Sequence, residues 1–217
     1  MKKCAYSIIF LICVLAFGCA YKVPSNISPA VNIYSSYGDK MPGGVVLVMD
    51  DSIYNINRDL KPSSYLCSVH KFPINIDETL GLSIRQTTEA IFEEVVEQKT
   101  MPNTNQFENL NCKGVLFVKL KRFYPNIRFF KGFWSSQAIA TCNLILEITA
   151  KDANNNKLLV TTVGGDRTMD GDGGQACAGG ATVLGESINK AIKETMERYA
   201  ERISNSRKIR NCFAGQE

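Results

Sequence analysis

Residues 138–150 constrain the fold more than any other part of the chain. Even positions read Ala138, Ala140, Cys142, Leu144, Leu146, Ile148 and Ala150; odd positions read Ile139, Thr141, Asn143, Ile145, Glu147 and Thr149. A period of two sends successive side chains to opposite faces, so this is a strand with one dry face and one mostly wet face. A sheet with a dry face needs a second layer over it. Two segments have the helical period to supply that layer. Leu80, Ile84, Thr87, Ile91 and Val95 recur at three and four, widened by Phe92 and Val96, behind a candidate N-cap at Asp77 with Glu78 in the first turn. Leu184, Ile188, Ala191, Ile192, Thr195, Tyr199 and Ile203 mark one face of a second helix, with Thr182 as its candidate cap.

The remaining apolar runs read as strands. Residues 45–49 are compact and end in Asp50-Asp51, Ile53, Tyr54 and Ile56 offer a short edge strand, and residues 65–72 and 115–123 suit a strand. Residues 152–156 suit a hairpin that returns the chain along 158–163, followed by a glycine-rich loop over 164–180. The expected fold class is α+β: a two-layer sandwich, a mostly antiparallel sheet with two long helices on one face. That domain covers residues 44–204. Residues 19–43, with Pro24, Pro29 and Pro42 and no sustained period, read as a flexible tether, and 205–217 as a polar tail.

The N-terminus sets the address. Lys2 and Lys3 precede an apolar run over 7–17, and Gly18 stands directly before Cys19. The run is too short to cross a hydrocarbon core of roughly 30 Å as a helix, so 1–18 reads as a signal peptide that is removed. Residues 15–19 resemble a bacterial lipobox, in which the cysteine is diacylated and becomes the new N-terminus; Ala20 after it resembles the outer-membrane sorting pattern. The plainer alternative is a secretory signal cut elsewhere, with Cys19 incidental. Loss of Lys2 and Lys3 takes Lys+Arg from 25 to 23 against 21 Asp+Glu, a net charge near +2 that implies no polyanion partner. The expected home is the periplasmic face of the outer membrane, with no nucleic acid as partner.

An exported chain can form disulfides. With Cys4 and Cys13 in the signal and Cys19 acylated, Cys67, Cys112, Cys142, Cys177 and Cys212 remain, so at least one thiol is spare. Cys142 is expected to be buried. Cys112 follows the first helix and Cys212 the last, which makes Cys112–Cys212 the candidate bridge.

The signal and lipobox, the strand with Leu116-Phe117-Val118-Lys119-Leu120, the hairpin from Asn143-Leu144-Ile145-Leu146-Glu147-Ile148 into Leu158-Leu159-Val160, the glycine-rich loop and the closing helix resemble the YajG-type lipoproteins. Related auxiliary lipoproteins of envelope ABC transporters share the plan. The resemblance covers 44–204 in layout and brings no catalytic residues.

Chemistry-bearing residues are few. Gly171-Asp172-Gly173-Gly174-Gln175-Ala176 has the letters of a dinucleotide fingerprint, but the expected helix starts later and the aspartates repel phosphate. Asp166, Asp170 and Asp172 lack the spacing of an EF-hand loop. His70 has no acid or nucleophile near it in sequence, Ser63, Ser64, Ser135 and Ser136 sit in no nucleophile elbow, and Glu93-Glu94 read as the solvated side of a helix. No cofactor, metal or catalytic residue is expected. The candidate docking surface lies within 119–134, where Lys119, Lys121, Arg122, Arg128 and Lys131 interleave with Phe123, Tyr124, Phe129, Phe130, Phe133 and Trp134. The competing reading turns the aromatics inward and leaves the charges to guard a sheet edge. The function expected is a non-catalytic, lipid-anchored periplasmic module that docks on an envelope protein complex. Its alternatives are a module that binds lipid or another amphiphile, and a hydrolase built on the glycine-rich loop.

Overall fold

The structure is a computed structural model and describes residues 19–30, 39–103, 107, 109–132 and 136–214. The chain runs β1 (Met41–Met49), α1 (Asp51–Tyr54), β2 (Asn57–Leu60), β3 (Phe72–Asn75), α2 (Asp77–Ile91), β4 (Phe92–Gln98), β5 (Cys112–Lys131), β6 (Ser136–Asp152), β7 (Lys157–Gly174), a 3-10 turn at Gln175–Cys177, α3 (Gly180–Ser204) and α4 (Arg207–Ala214). Five strands form one sheet in the order β4-β1-β5-β6-β7, and β2 pairs with β3 apart from it.

The sheet is mixed, where a mostly antiparallel one was expected. β1 runs parallel to both β4 and β5, while β5, β6 and β7 form an antiparallel meander. The physical reason is in β1 itself. Val45 to Met49 are all buried, with Val45, Leu47 and Met49 in the main core and Val46 and Val48 in a second cluster behind the sheet. An unbroken apolar run is what a parallel strand covered on both faces needs. The expected first helix ends early for the same reason: Ile91 is its last helical residue, and Phe92, Val95 and Val96 belong to β4 beside β1.

The even positions of β6 are buried against α3, as its alternation requires, and the helices lie on that face. The glycine-rich segment is strand rather than loop as far as Gly174. Gly165 faces α3, where a Cβ would run into the carbonyl oxygen of Ala191, so the missing side chain lets the helix seat on the strand. Residues 65–69 are turn rather than strand, with Lys71 in an isolated bridge and Phe72 opening β3, and Asp77 is the first helical residue of α2, not its cap. Helix α3 likewise starts at Gly180, ahead of Thr182. The expected polar tail contains α4, which buries Ile209 and Phe213; the Phe213 ring lies 4.9 Å from Phe92.

Residues 19–30 are no free tether either. They form a strap across the helices. Ser28 N donates to Ser83 Oγ (2.9 Å) and Ala30 N to Thr87 Oγ1 (3.1 Å), Ser25 Oγ meets Thr79 Oγ1 (3.1 Å), and Asn26 N donates to Asn189 Oδ1 on α3 (3.0 Å). Thr79, Ser83 and Thr87 stand one turn apart on α2. Ser83 and Thr87 each donate to the carbonyl four residues back, which frees their oxygens to accept from the strap. Thr79, Ser83 and Thr87 thus form a hydrogen-bonded seat for the strap.

Candidate docking surface

β5 is much longer than its neighbour β1, and past Val118 it outruns it. On that side α1 and the segment after it take over: Leu120 N donates to Ser52 Oγ (3.1 Å), Arg58 to the carbonyl of Phe123 (3.1 Å), and Phe129 N to Ser64 Oγ (2.8 Å). Pro125 sits in this stretch, where a strand can do without an N–H. The β5–β6 register slips between Leu120 and Arg122, leaving Lys121 as the extra residue. A bulge of this kind exchanges the two faces of a strand. Inward positions are Leu116 and Val118 before it and Phe123, Ile127 and Phe129 after it.

The bulge divides the predicted docking strip. Phe129 is 2% exposed and stacked on Phe72 at 5.8 Å, and Phe123 is buried, so neither can meet a partner. For these two the inward reading of the aromatics is right. Arg122, Tyr124, Arg128 and Phe130 point to the face opposite the helices and are exposed, Tyr124 by 64% and Phe130 by 44%. Arg128 stands over the Phe130 ring at 5.9 Å. Lys131 is exposed at the strand's end, and Trp134 lies outside the described residues. Lys121 is exposed but spoken for: its Nζ is 2.6 Å from Glu147 Oε2, and that hydrogen bond holds the Glu147 carboxyl below its ordinary pKa.

Register carries these rows across the sheet. Tyr124 is opposite Asn143 and Asn143 opposite Asp166; Arg128 is opposite Ile139 and Ile139 opposite Asp170; Phe130 is opposite Gln137 and Gln137 opposite Asp172. The three aspartates, two or four residues apart on a strand, share one face as an acidic column on edge strand β7. The open face thus has a basic, aromatic column on β5, an acidic column on β7 and half-buried Ile139, Thr141 and Asn143 between. At the bulge it deepens into an open groove of about 850 Å³, lined among others by Arg58, Arg122, Tyr124, Asn143 and Asp166. Asn143 Oδ1 is shielded there and has no hydrogen-bond partner among the described residues. Such a groove offers guanidinium donors, a carboxylate and an unmet amide acceptor to a polar backbone or side chain.

Among the other residues singled out, Ser63 and Ser64 bond the main chain of Ile127 and Phe129. Glu93 and Glu94 lie on β4, not on a helix, and Glu93 accepts from Gly43 N. Ser136 opens β6, and Ser135 is outside the described residues. His70 is half-buried with its ring 5.5 Å from Tyr21.

The predicted Cys112–Cys212 bridge is not formed. The structure joins Cys67 to Cys177 and leaves Cys112, Cys142 and Cys212 as thiols. A break in register between Gly44 and Val45 turns Cys112 into the cluster behind the sheet, whereas Cys212 packs against the main core. Cys142 is fully buried.

Cys19 is exposed. Its carbonyl accepts from Lys71 N (3.3 Å), Ala20 bridges Lys71, and Tyr21 N donates to Lys71 O (2.9 Å) while its hydroxyl reaches the Ala176 carbonyl (2.9 Å). Sequence reasoning missed this arrangement. Tyr21 and Val23, apolar residues in an otherwise polar stretch, were the available signal.

The chain matches no protein-family model and no curated protein. Solved structures similar to it include a protein described as a homolog of neuraminyllactose-binding hemagglutinin from Helicobacter pylori (12% identity, TM-score 0.43, 84% of this chain and 94% of that one). Others are a hypothetical protein from Chlamydia trachomatis (12%, TM-score 0.32, 73% and 96%) and a minor lipoprotein from Acinetobacter baumannii (11%, TM-score 0.31, 82% and 96%).

Proposed function

We propose that this protein is a non-catalytic module, anchored by an acylated Cys19 to the periplasmic face of the outer membrane, that docks on an envelope protein complex through the open face of its sheet. The observation that carries the reading is the charge-divided face itself, where exposed Tyr124 and Phe130 stand among Arg122 and Arg128 opposite a column of aspartates. Aromatic and arginine side chains are the groups that most often anchor a protein interface. The lipobox, the YajG-type layout and a disulfide, which persists in an oxidising compartment, support the location.

The test is a pull-down from detergent-solubilised envelopes with the full-length chain, comparing wild type with Arg122→Glu/Arg128→Glu and with Phe130→Ser. A stoichiometric protein partner lost in both variants, with melting temperatures unchanged, is the expected result. Lipid recovered without protein would favour the amphiphile-binding alternative, and unaltered partner recovery by both variants would show the face to be bystander surface.

A further inference from the structure

The turn over 61–71 is another place, among the described residues, where apolar side chains close together in sequence are left uncovered. Tyr65 is 98% exposed, Val69 70% and Leu66 40%. Single apolar residues on a surface need no explanation, but three within five residues form a patch. The patch is held, not floppy. Cys67 at its centre is bonded to Cys177, His70 N donates to Cys67 O (3.0 Å), and Ser63 N and Ser64 Oγ tie the turn's start to β5. Cys67 adopts a left-handed backbone (φ 66°), which is costly without a side chain suited to it, so the bridge fixes a conformation that the free chain would avoid.

This patch lies beside the anchor. Lys71, two residues past Val69, is the residue that bonds Cys19 O and bridges Ala20. Lys22, Lys61 and Lys71 are exposed around it, and the nearby acid Asp59 is paired with Lys71 at 3.7 Å. Through Ser64 the turn also abuts the end of β5 that carries Arg128, Phe130 and Lys131.

We propose that the 61–71 turn enters the interfacial layer of the bilayer beside the acylated Cys19, with Tyr65, Leu66 and Val69 among the headgroups and upper acyl chains and the lysines on anionic phosphates. The inference rests on the anchored reading above. Tyrosine and basic residues are the usual occupants of that layer, and an acyl anchor gains firm attachment from a second membrane contact. The domain is then held against the membrane by one end rather than on a leash. β7 runs from Gly174 at that end to Val160, roughly 45 Å away along the strand, which keeps much of the open face clear of the bilayer.

The test uses the acylated full-length protein in vesicles of phosphatidylethanolamine and phosphatidylglycerol with brominated acyl chains. Trp134, the single tryptophan, is replaced by Phe. Tyr65→Trp and, separately, Val69→Trp report from the turn; Val160→Trp, at the far end of the sheet, is the control. Expected are a blue shift and bromine quenching for the two turn variants, with solvent-like, unquenched emission for Val160→Trp. Turn variants that are acylated yet emit as in water, or quenching equal at all three positions, would overturn the proposal while leaving the anchor intact. A mass spectrum with no acyl chains on the Cys19 peptide would instead remove the anchored reading and this inference with it.

Discussion

The hydroxyl of Tyr199 on α3 lies 2.8 Å from Oγ1 of Thr88 on α2, a hydrogen bond between residues 111 apart in sequence and sealed inside the core. Thr88 already donates to the carbonyl of Ile84, so Tyr199 is the donor. Burial pushes the tyrosine's pKa far up, so the proton stays in place at any working pH. The two partners are not equivalent. Tyr199→Phe removes a donor and leaves Thr88 with its helix bond, and should cost about 1 kcal/mol. Thr88→Val strands the Tyr199 hydroxyl in an apolar interior and should cost about 2 kcal/mol. Urea unfolding of the two variants checks the order.

Gly185 on α3 faces the strap, where an added Cβ would lie 2.5 Å from the Pro24 carbonyl oxygen. Gly185→Ala gains about 1 kcal/mol of helix propensity but pushes the strap from its seat. The body should unfold at nearly the wild-type temperature while trypsin cuts after Lys22 several-fold faster, read by mass spectrometry of the released peptide.

The Cys67–Cys177 bridge closes a separation of 110 residues. A loop of that size corresponds to about 4.7 kcal/mol in the chain-entropy model, and removal of a native bridge commonly costs about 2–5 kcal/mol. Cys67→Ala/Cys177→Ala should lose stability in that range and become insensitive to dithiothreitol. Cys112→Ala/Cys212→Ala should still respond to it.

The thiols make stability depend on pH at the alkaline end. Burial pushes Cys142 up to about 12 and Cys112 up to about 11, from an ordinary value near 9. Below pH 9 both states hold these protons and nothing is lost. As pH rises above 9 the unfolded chain releases them, while the folded one holds the Cys112 proton to about 11 and the Cys142 proton to about 12, so stability falls across that window. Urea midpoints at pH 8 and pH 10.5 should differ less in Cys142→Ala than in wild type. Native Cys142 should also resist a thiol reagent at pH 8 until the chain unfolds.

Much of the core was legible because its signal is local. A period of two over 138–150 names the buried face of β6, and a period of 3.6 over 184–203 does the same for α3, whatever else the chain does. The apolar run at 45–49 carried more than the strand reading took from it: without alternation, it pointed to a strand buried on both sides and hence to parallel neighbours. The error at 92–98 has the same origin. Phe92 and Val96 fit the spacing of the helical stripe but are residues suited to a strand.

The docking strip was only half legible. Basic and aromatic residues over 119–131 are plain in the sequence, but which of them face outward depends on one extra residue, Lys121, whose place in the ladder is decided by pairing with β6. Without that slip Phe129 would be outside and Phe130 inside.

By itself, then, the sequence determined the faces of β6 and α3 and the burial of Cys142. The tertiary structure alone decided that Cys67 meets Cys177, that residues 19–30 lie along α2 instead of swinging free, and that the bulge at Lys121 divides the aromatics between core and surface. The physical reason is range: a hydrophobic period is written in neighbouring residues, whereas a disulfide partner, a hydroxyl seat and a register slip exist only once distant segments have been brought together.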